Sequence, residues 1–560
     1  MTPMTIAPTP IESPPGFPVR WADPADAGLL WERDSMHFPD ALTPMEMAAA
    51  TRGLTRGFGA ALETYHAPLK AMTARGFNGW FFSAATPYLA SPEELAERAV
   101  KGEQAAREAI GRLGQLWNDE MLPEIHGHIE RWEAYDLAEA DREDFVAHLD
   151  ETWETMGRIW ELHFTLVLPV YLAMSEFDEL YRGLFEDKSQ LDSYQLLEGF
   201  SNMTVEVGEA LFALSRRARA DETVRAALVD GPAELAVSAL AETEAGRAFL
   251  SELRDYLVHY GRRSDKWAIG ATSWVEDPTP AITNLREYVA REDDDGPTAQ
   301  VARAAAAREA AVAEARERIA AYPAPIQGQF EGMLAAAQVA VVLSEDHNFW
   351  IDNVSTYQFR QVVIEAGRRL VADGALGCVD DVMLLEPEEL RAALLHGEAD
   401  LHGLVVARTE MLGRQARLEV PPVIGSLPPG PPPADPMSRA MMKFFGTPPE
   451  VSEATDEIRG AAGSRGVVRG RARIITSITE ADRLEPGDIL VAKTTAPPWT
   501  PLFATVAAVV TDTGGALSHA AVVAREYGVP AVVGASNASN VIADGQMIEV
   551  DGDAGIVRLV

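Results

Sequence analysis

The stretch TDTGGALSHAAVVAREYGVPAVVG, residues 511–534, decides how this chain is read. It follows the apolar run VAAVV (506–510) and reads as a buried strand, a glycine loop, a helix and a second strand. Gly514 and Gly515 allow a tight turn and let another group approach the backbone closely. Ser518 stands where a helix N-cap belongs, so His519 falls in the first helical turn. Unsatisfied N–H groups point outward there and the helix dipole is positive, which suits an anion such as phosphate. The same field disfavours an imidazolium, so the expectation is a neutral, nucleophilic imidazole near pH 7. Were it to capture a phosphoryl group, the neighbouring amides and the Ser518 hydroxyl would hold the new charge. A capping or packing histidine is the competing reading, and the residues alone leave both open.

The surroundings of this stretch suggest a compact α/β domain over 465–560. Short β-branched runs (RGVVRGRARIITS, GDILVAKTT, PAVVG, QMIEV, GIVRLV) alternate with Gly, Asp and Pro, and DGDAG turns between the last two. Upstream, 419–464 contains VPPVIGSLPPGPPPADP (420–436), too rich in proline for a helix or a central strand, and reads as a semi-extended linker. Residues 19–418 form a large, mostly helical domain. Apolar residues recur there at spacings of three and four, as in 91–117 and 298–322, with a capping box at Ser91 and Glu94. Residues 1–18 read as a flexible lead. The fold class is therefore a large helical domain plus a small C-terminal α/β domain.

Composition narrows the function. The 560 residues carry a formal charge of −37, which argues against nucleic acid and anionic membrane as partners. From residue 461 onward eight Lys/Arg face ten Asp/Glu, so the acidity belongs upstream. One cysteine, Cys378, excludes an intrachain disulfide and a thiolate metal site. The N-terminus lacks the pattern of a secretory signal, and the longest apolar run, near 164–174, is short for a bilayer and contains Pro169. A cytoplasmic protein is expected.

The quoted stretch resembles the swivelling phosphohistidine domain of phosphoenolpyruvate (PEP)-utilising enzymes and dikinases. In that family a Gly-Gly pair precedes the phospho-accepting histidine. An apolar helix with Ala-Arg-Glu follows, and then Gly-(Ile/Val)-Pro-Ala-Val-Val-Gly. The position two before the histidine, commonly Thr in pyruvate dikinases, is Leu517 here. The resemblance implies that His519 carries a phosphoryl group, with Gly514, Gly515 and Ser518 around the phosphate. RGVVRGRARI, EPGDILVAKTTAPPWTPLF, the opening VRWADPADAGLLWERDSMHFPDALTPM (19–45) and HYGRRSDKWAIGATSWVEDP (259–278) resemble rifampicin phosphotransferases and phenylphosphate synthase-like proteins. In the last of these, Arg262 stands at or near the polar position of the group's "YGHR" segment, making it a phosphate-binding candidate beside Arg263.

Antibiotic-modifying members of that group begin with an ATP-grasp domain, whereas this sequence opens at the substrate-domain motif and shows no glycine-rich nucleotide segment. The resemblance then implies the substrate and histidine half of a split dikinase. ATP and Mg²⁺ would act through a separate ATP-grasp subunit, with AMP, inorganic phosphate and a phosphate monoester as products. The alternatives are a phosphocarrier or regulatory module whose acceptor is a protein, or a component of a pyruvate-type dikinase.

A hydroxyl acceptor needs a base and cations for the phosphoryl oxygens. SEDHNFWIDNVSTYQFR (344–360) is the densest polar and aromatic stretch of the helical part. At helical spacing Asp346, Trp350, Asn353, Tyr357 and Arg360 share one face, bordered by His347. His347 is the expected base and Arg360 the expected phosphoryl clamp, with Asp346, Trp350, Asn353 and Tyr357 as substrate contacts. Interhelical hydrogen bonds or ion pairs would explain the same residues. GFNGWFFSAATPYL (76–89) either lines an apolar pocket, which would favour a phenolic or other aromatic alcohol, or packs in the core. His126 and His128 have too few neighbouring ligands for a metal, and none is expected.

Overall fold

A computed structural model describes residues 9–185, 189, 191–396, 401–428, 435–446 and 457–560. The chain divides into two compact units. Met1–Pro169, Lys266–Ala271 and Trp350–Pro433 form the first, and Val170–Asp265, Thr272–Phe349 and Ala434–Val560 the second.

The first unit is helical around a five-stranded antiparallel sheet that the helical reading of 19–418 did not foresee. Its order is Thr9–Pro10, Val423–Leu427, Leu30–Arg33, Trp80–Pro87, Leu69–Phe77. Asn78 (φ 51°) and Gly79 (φ 80°) close the hairpin as a two-residue turn with both residues left-handed, the geometry that matches strand twist. Trp80 and Phe82 pack with Phe17, Trp31, Phe77 and Ile424 on one face, while Phe81 packs with Leu42, Ala50 and Ala74 on the other. Both faces are covered, so the stretch shows no polar–apolar alternation. The aromatic stretch 76–89 therefore builds core. Helix Pro44–Thr64 starts at a Thr43–Glu46 capping box, and Ser91–Glu94 caps the next long helix as expected. A Cβ on Gly57 would come within 2.4 Å of the Trp160 carbonyl, so glycine is what lets helix Pro44–Thr64 meet helix Arg142–Phe185.

Two boundary readings are corrected. Val423–Leu427, placed in the proline-rich linker, is a strand beside Leu30–Arg33. Its five residues contain no proline, and Gly425 (φ 93°) sits where a Cβ would come within 2.1 Å of the Leu29 carbonyl. Residues 429–434 and 447–456 of that linker lie outside the described residues. The lead is tied down from Thr9, which pairs with Leu427, and Phe17 is fully buried.

The second unit combines helices, among them Met203–Ala220, Glu244–Tyr260, Thr279–Val289, Pro297–Ile319 and Ala324–His347, with an eight-stranded sheet. The sheet runs Glu457–Arg459, Ile556–Leu559, Met547–Asp551, Val467–Ile474, Ile489–Ala492, Ala508–Thr511, Ala531–Val533, Ala461–Ser464. Its four central strands, Val467–Ile474 to Ala531–Val533, are parallel and the outer pairings antiparallel. Ile489, Val491, Val510, Val532, Ile548, Val550 and Val557 fill its core. Helix His519–Tyr527 is the crossover between parallel strands Ala508–Thr511 and Ala531–Val533. Its N-terminus therefore lies at the carboxyl end of the strand that precedes it, where ligands bind in parallel sheets.

After His347 the α-helix gives way to a π-helix, Asn348–Ser355, before α-helix Thr356–Ala372. Wider i→i+5 turns break the 3.6-residue spacing that placed Asp346 through Arg360 on one face. Asp346 and His347 belong to the second unit, and Trp350, Asn353, Tyr357 and Arg360 to the first.

Candidate active site

In the second unit the loop Gly514–Ser518 is shaped by the short helix Pro436–Phe445. The Gly515 N–H donates to the Phe444 carbonyl (2.8 Å) and the Leu517 N–H to the Lys443 carbonyl (2.9 Å). A Cβ on Gly515 would lie 2.2 Å from the Lys443 carbonyl. The structure thus corrects the phosphate role given to Gly515. Its amide is already engaged, and its small size admits a neighbouring backbone. Gly514 supplies the turn, with φ 98°.

Ser518 has the extended backbone of an N-cap (φ −68°, ψ 157°), yet its hydroxyl makes no capping bond. The Ser518 Oγ is buried and has no hydrogen-bond partner among the described residues, and the same holds for His519 Nε2. Buried polar atoms without partners are uncommon and need a reason. The other ring nitrogen is engaged: His519 Nδ1 lies 3.2 Å from Glu345 Oε1, and both side chains are largely buried. Nδ1 as donor to a carboxylate leaves the lone pair on Nε2, the arrangement of an imidazole nucleophile.

Glu345 is 5% exposed and accepts a second bond on Oε2 from the Thr204 hydroxyl (2.8 Å). Burial pushes its carboxyl up, but the charge and hydrogen bond of His519, the Thr204 hydroxyl and His347 outweigh it, and the net direction is down. Asp346 accepts from the Met203 N–H (2.7 Å) at the start of helix Met203–Ala220, and burial pushes its carboxyl up to about 6. His347 is buried with Nδ1 2.7 Å from the Leu343 carbonyl, and burial lowers its pKa. Of the two arginines read as clamps, Arg263 is the buried one. It stacks on Trp274 (5.1 Å), and its Nε has no partner among the described residues. Arg262 is half-buried.

The far end of the histidine helix is seated by two further residues of its motif. Arg525 donates to the Gly463 and Ala516 carbonyls (2.9 Å each) and stacks on Tyr194. Both carboxylate oxygens of Glu526 lie 3.0 Å from the Gly199 N–H. Burial pushes Glu526 up to about 8 and the neighbouring Glu198 up to about 7.

The remaining expected residues sit in the first unit. Arg360 is buried and donates to the Ile269 and Gly270 carbonyls (3.0 and 3.1 Å), anchoring the segment Lys266–Ala271. Trp350 packs edge-on to His126 (4.4 Å). Asn353 and Tyr357 are half-buried. A pocket of about 760 Å³ is walled by Phe38, Trp153, Met156, Trp160, Trp267 and Phe359, with Glu46, Arg52 and Arg56 at its polar side. Two histidines adjoin its aromatic walls: His37 packs edge-on to Trp267 (5.0 Å), and His163 lies 5.0 Å from Trp160. His37 Nδ1 bonds Asp34 Oδ2 (2.8 Å), and His163 Nδ1 is 3.4 Å from Asp352 Oδ1. Burial would lower the His37 pKa, but Asp34 and Asp352 reverse the sign and raise it. An Asp–His pair of this kind can take a proton. The reading from sequence missed it, although D-x-x-H at 34–37 and Asp352 both lay in quoted stretches.

Comparison with known proteins places these features. The model for "PEP-utilising enzyme, mobile domain" matches residues 484–555, and that for "Rifampicin phosphotransferase fourth domain" matches residues 163–345. The chain is 38% identical over 98% of its length to a segment of chondramide synthase from Chondromyces crocatus, covering 14% of that protein. It is 29% identical over 72% of its length to the uncharacterized phosphotransferase YvkC of Bacillus subtilis, covering 47% of it. It is 28% identical over 64% of its length to the rifampicin phosphotransferase of the same organism, covering 40%. The chain thus spans less than half the length of each of these relatives.

Proposed function

From the premise that the chain carries the mobile domain of PEP-utilising enzymes and the fourth domain of rifampicin phosphotransferases, we propose that His519 is a phosphoryl carrier that delivers its cargo to a small-molecule hydroxyl. One observation supports this most. Nε2 of His519 and the Ser518 hydroxyl are buried without partners at a helix N-terminus, while Nδ1 is held by Glu345. A ring lone pair for phosphorus, a hydroxyl beside it and a carboxylate against Nδ1 support the reading.

The acceptor in this proposal is a phenolic or other aromatic alcohol, a reading supported by the tryptophan-walled pocket of the first unit. His37 with Asp34, or His347, is the candidate base. ATP and Mg²⁺ belong to the charging step, on an ATP-grasp protein or domain outside these 560 residues, and no residue here is assigned to hold them. A cytoplasmic location and assembly with that partner are parts of the same proposal. A second reading, a carrier whose acceptor is a protein, is favoured by one observation: nearly the whole chain matches a segment that is 14% of a synthase.

The test uses β-³²P-labelled ATP and Mg²⁺ with the chain, with and without an ATP-grasp partner, followed by aromatic alcohols. Acid-labile label on His519 that then moves to an alcohol is the expected result, with His519→Ala unlabelled. Label that appears and leaves only to protein would establish the second reading. No label with any partner would sink both.

A further inference from the structure

The Nδ1 contact of His519 has a further consequence, which rests on the carrier reading. Glu345 stands in helix Ala324–His347, on the helical part of the second unit, and His519 on the domain matched as mobile. Oε1 of Glu345 faces Nδ1 at 3.2 Å, and Oε2 is fixed by Thr204 at 2.8 Å. The charged and titratable neighbours of this carboxylate are His347, Arg263, Asp346 and Glu526. Burial keeps His347 toward neutrality and pushes Asp346 and Glu526 toward their protonated forms, whereas Glu345 is pulled the other way. Environments that separate neighbouring carboxyls in this manner assign them different roles, and Glu345 is the one that keeps its charge.

We propose that Glu345 is a positioning residue that holds a proton on Nδ1 of His519, so that phosphohistidine is a ready donor while seated against Glu345 and a stable store when away from it. The chemistry follows from the ring. When the N–P bond at Nε2 breaks, its electron pair returns to Nε2. With Nδ1 protonated the ring departs as neutral imidazole. Without that proton it must depart as an imidazolate, a far poorer leaving group. The incoming oxygen, of an alcohol or of water, forms the new O–P bond and loses its proton to a base, while the ring keeps the proton on Nδ1. A carboxylate against Nδ1 therefore sets the lability of the N–P bond without touching phosphorus. Its effect depends on the mobile domain being in place.

The experiment bypasses the unknown partner. The full chain is phosphorylated with potassium phosphoramidate, His519→Ala serving as control, and loss of phosphohistidine is followed by ³¹P NMR between pH 5.5 and 9. Glu345→Gln is expected to lengthen the phosphohistidine lifetime at pH 8 by about tenfold, the equivalent of one unit in proton affinity. The difference between the two proteins should shrink toward pH 5.5, as solvent acid takes over the role of the carboxylate. Thr204→Val, which keeps the carboxylate but frees its second oxygen, should give a smaller lengthening and carries the test if Glu345→Gln fails to fold. Decay curves that superimpose across the range would overturn the inference and leave the carrier reading standing. Failure of His519 to take phosphate would overturn both.

Discussion

At the scale of single residues, the motif around His519 reaches beyond the histidine itself. Glu526, the penultimate residue of the histidine helix, anchors that helix to Gly199 with a carboxyl pushed up to about 8 by burial. A carboxyl whose folded pKa lies above its unfolded value stabilises the fold fully below the unfolded pKa, and that stability is lost as pH rises through the folded value. The melting temperature of the wild-type chain is therefore expected to fall between about pH 5 and 8.5. Glu526→Gln keeps an acceptor for the Gly199 N–H and should flatten the upper part of that fall. Glu198 and Asp346, raised to about 7 and about 6, account for the lower part. Melts followed by circular dichroism would show it, and parallel curves for the two proteins would exclude it. His519 and Ser518 were legible because local spacing puts them at a helix start. Glu345 was not, since it reads as one more acid in a helical stretch and finds His519 only across 174 positions. Arg525 was legible as part of a motif, but its carbonyl partners were not.

Among the elements, the C-terminal strands and their helix could be read directly, because parallel strands buried on both faces are short apolar runs between turn residues. The same physics hid the hairpin at 69–87. Phe81 and Phe82 point to opposite, equally apolar faces, so only Asn78–Gly79 signals a turn. Gly79→Ala is expected to cost about 1–2 kcal/mol, since a Cβ meets both the left-handed φ of 80° and Gln415 Oε1 at 2.6 Å. Chemical denaturation measures this, and a loss below a few tenths of that would show that the turn does not set the register. The π-helix Asn348–Ser355 was beyond reach because residue patterns assume 3.6 residues per turn. That single element breaks the 3.6-residue spacing between Asp346 and His347 on one side and Trp350, Asn353, Tyr357 and Arg360 on the other.

For the molecule as a whole, connectivity matters more than composition. The chain passes between its two units five times, after Pro169, Asp265, Ala271, Phe349 and Pro433. The eight-stranded sheet and its apolar core, however, lie wholly within residues 457–560. That segment expressed alone is expected to melt cooperatively, whereas residues cut at any of the first four passages should give aggregates. A non-cooperative melt of 457–560 would contradict this. The interleaving also bears on how such a protein diversifies. One recombination event upstream of Pro436 would transplant the C-terminal sheet between relatives together with the helix that shapes the His519 loop, while the threaded remainder can be inherited only as a block. On the proposed function, new acceptor specificities would then arise by point substitution inside that block, while the domains bearing His519 would be traded like interchangeable cartridges.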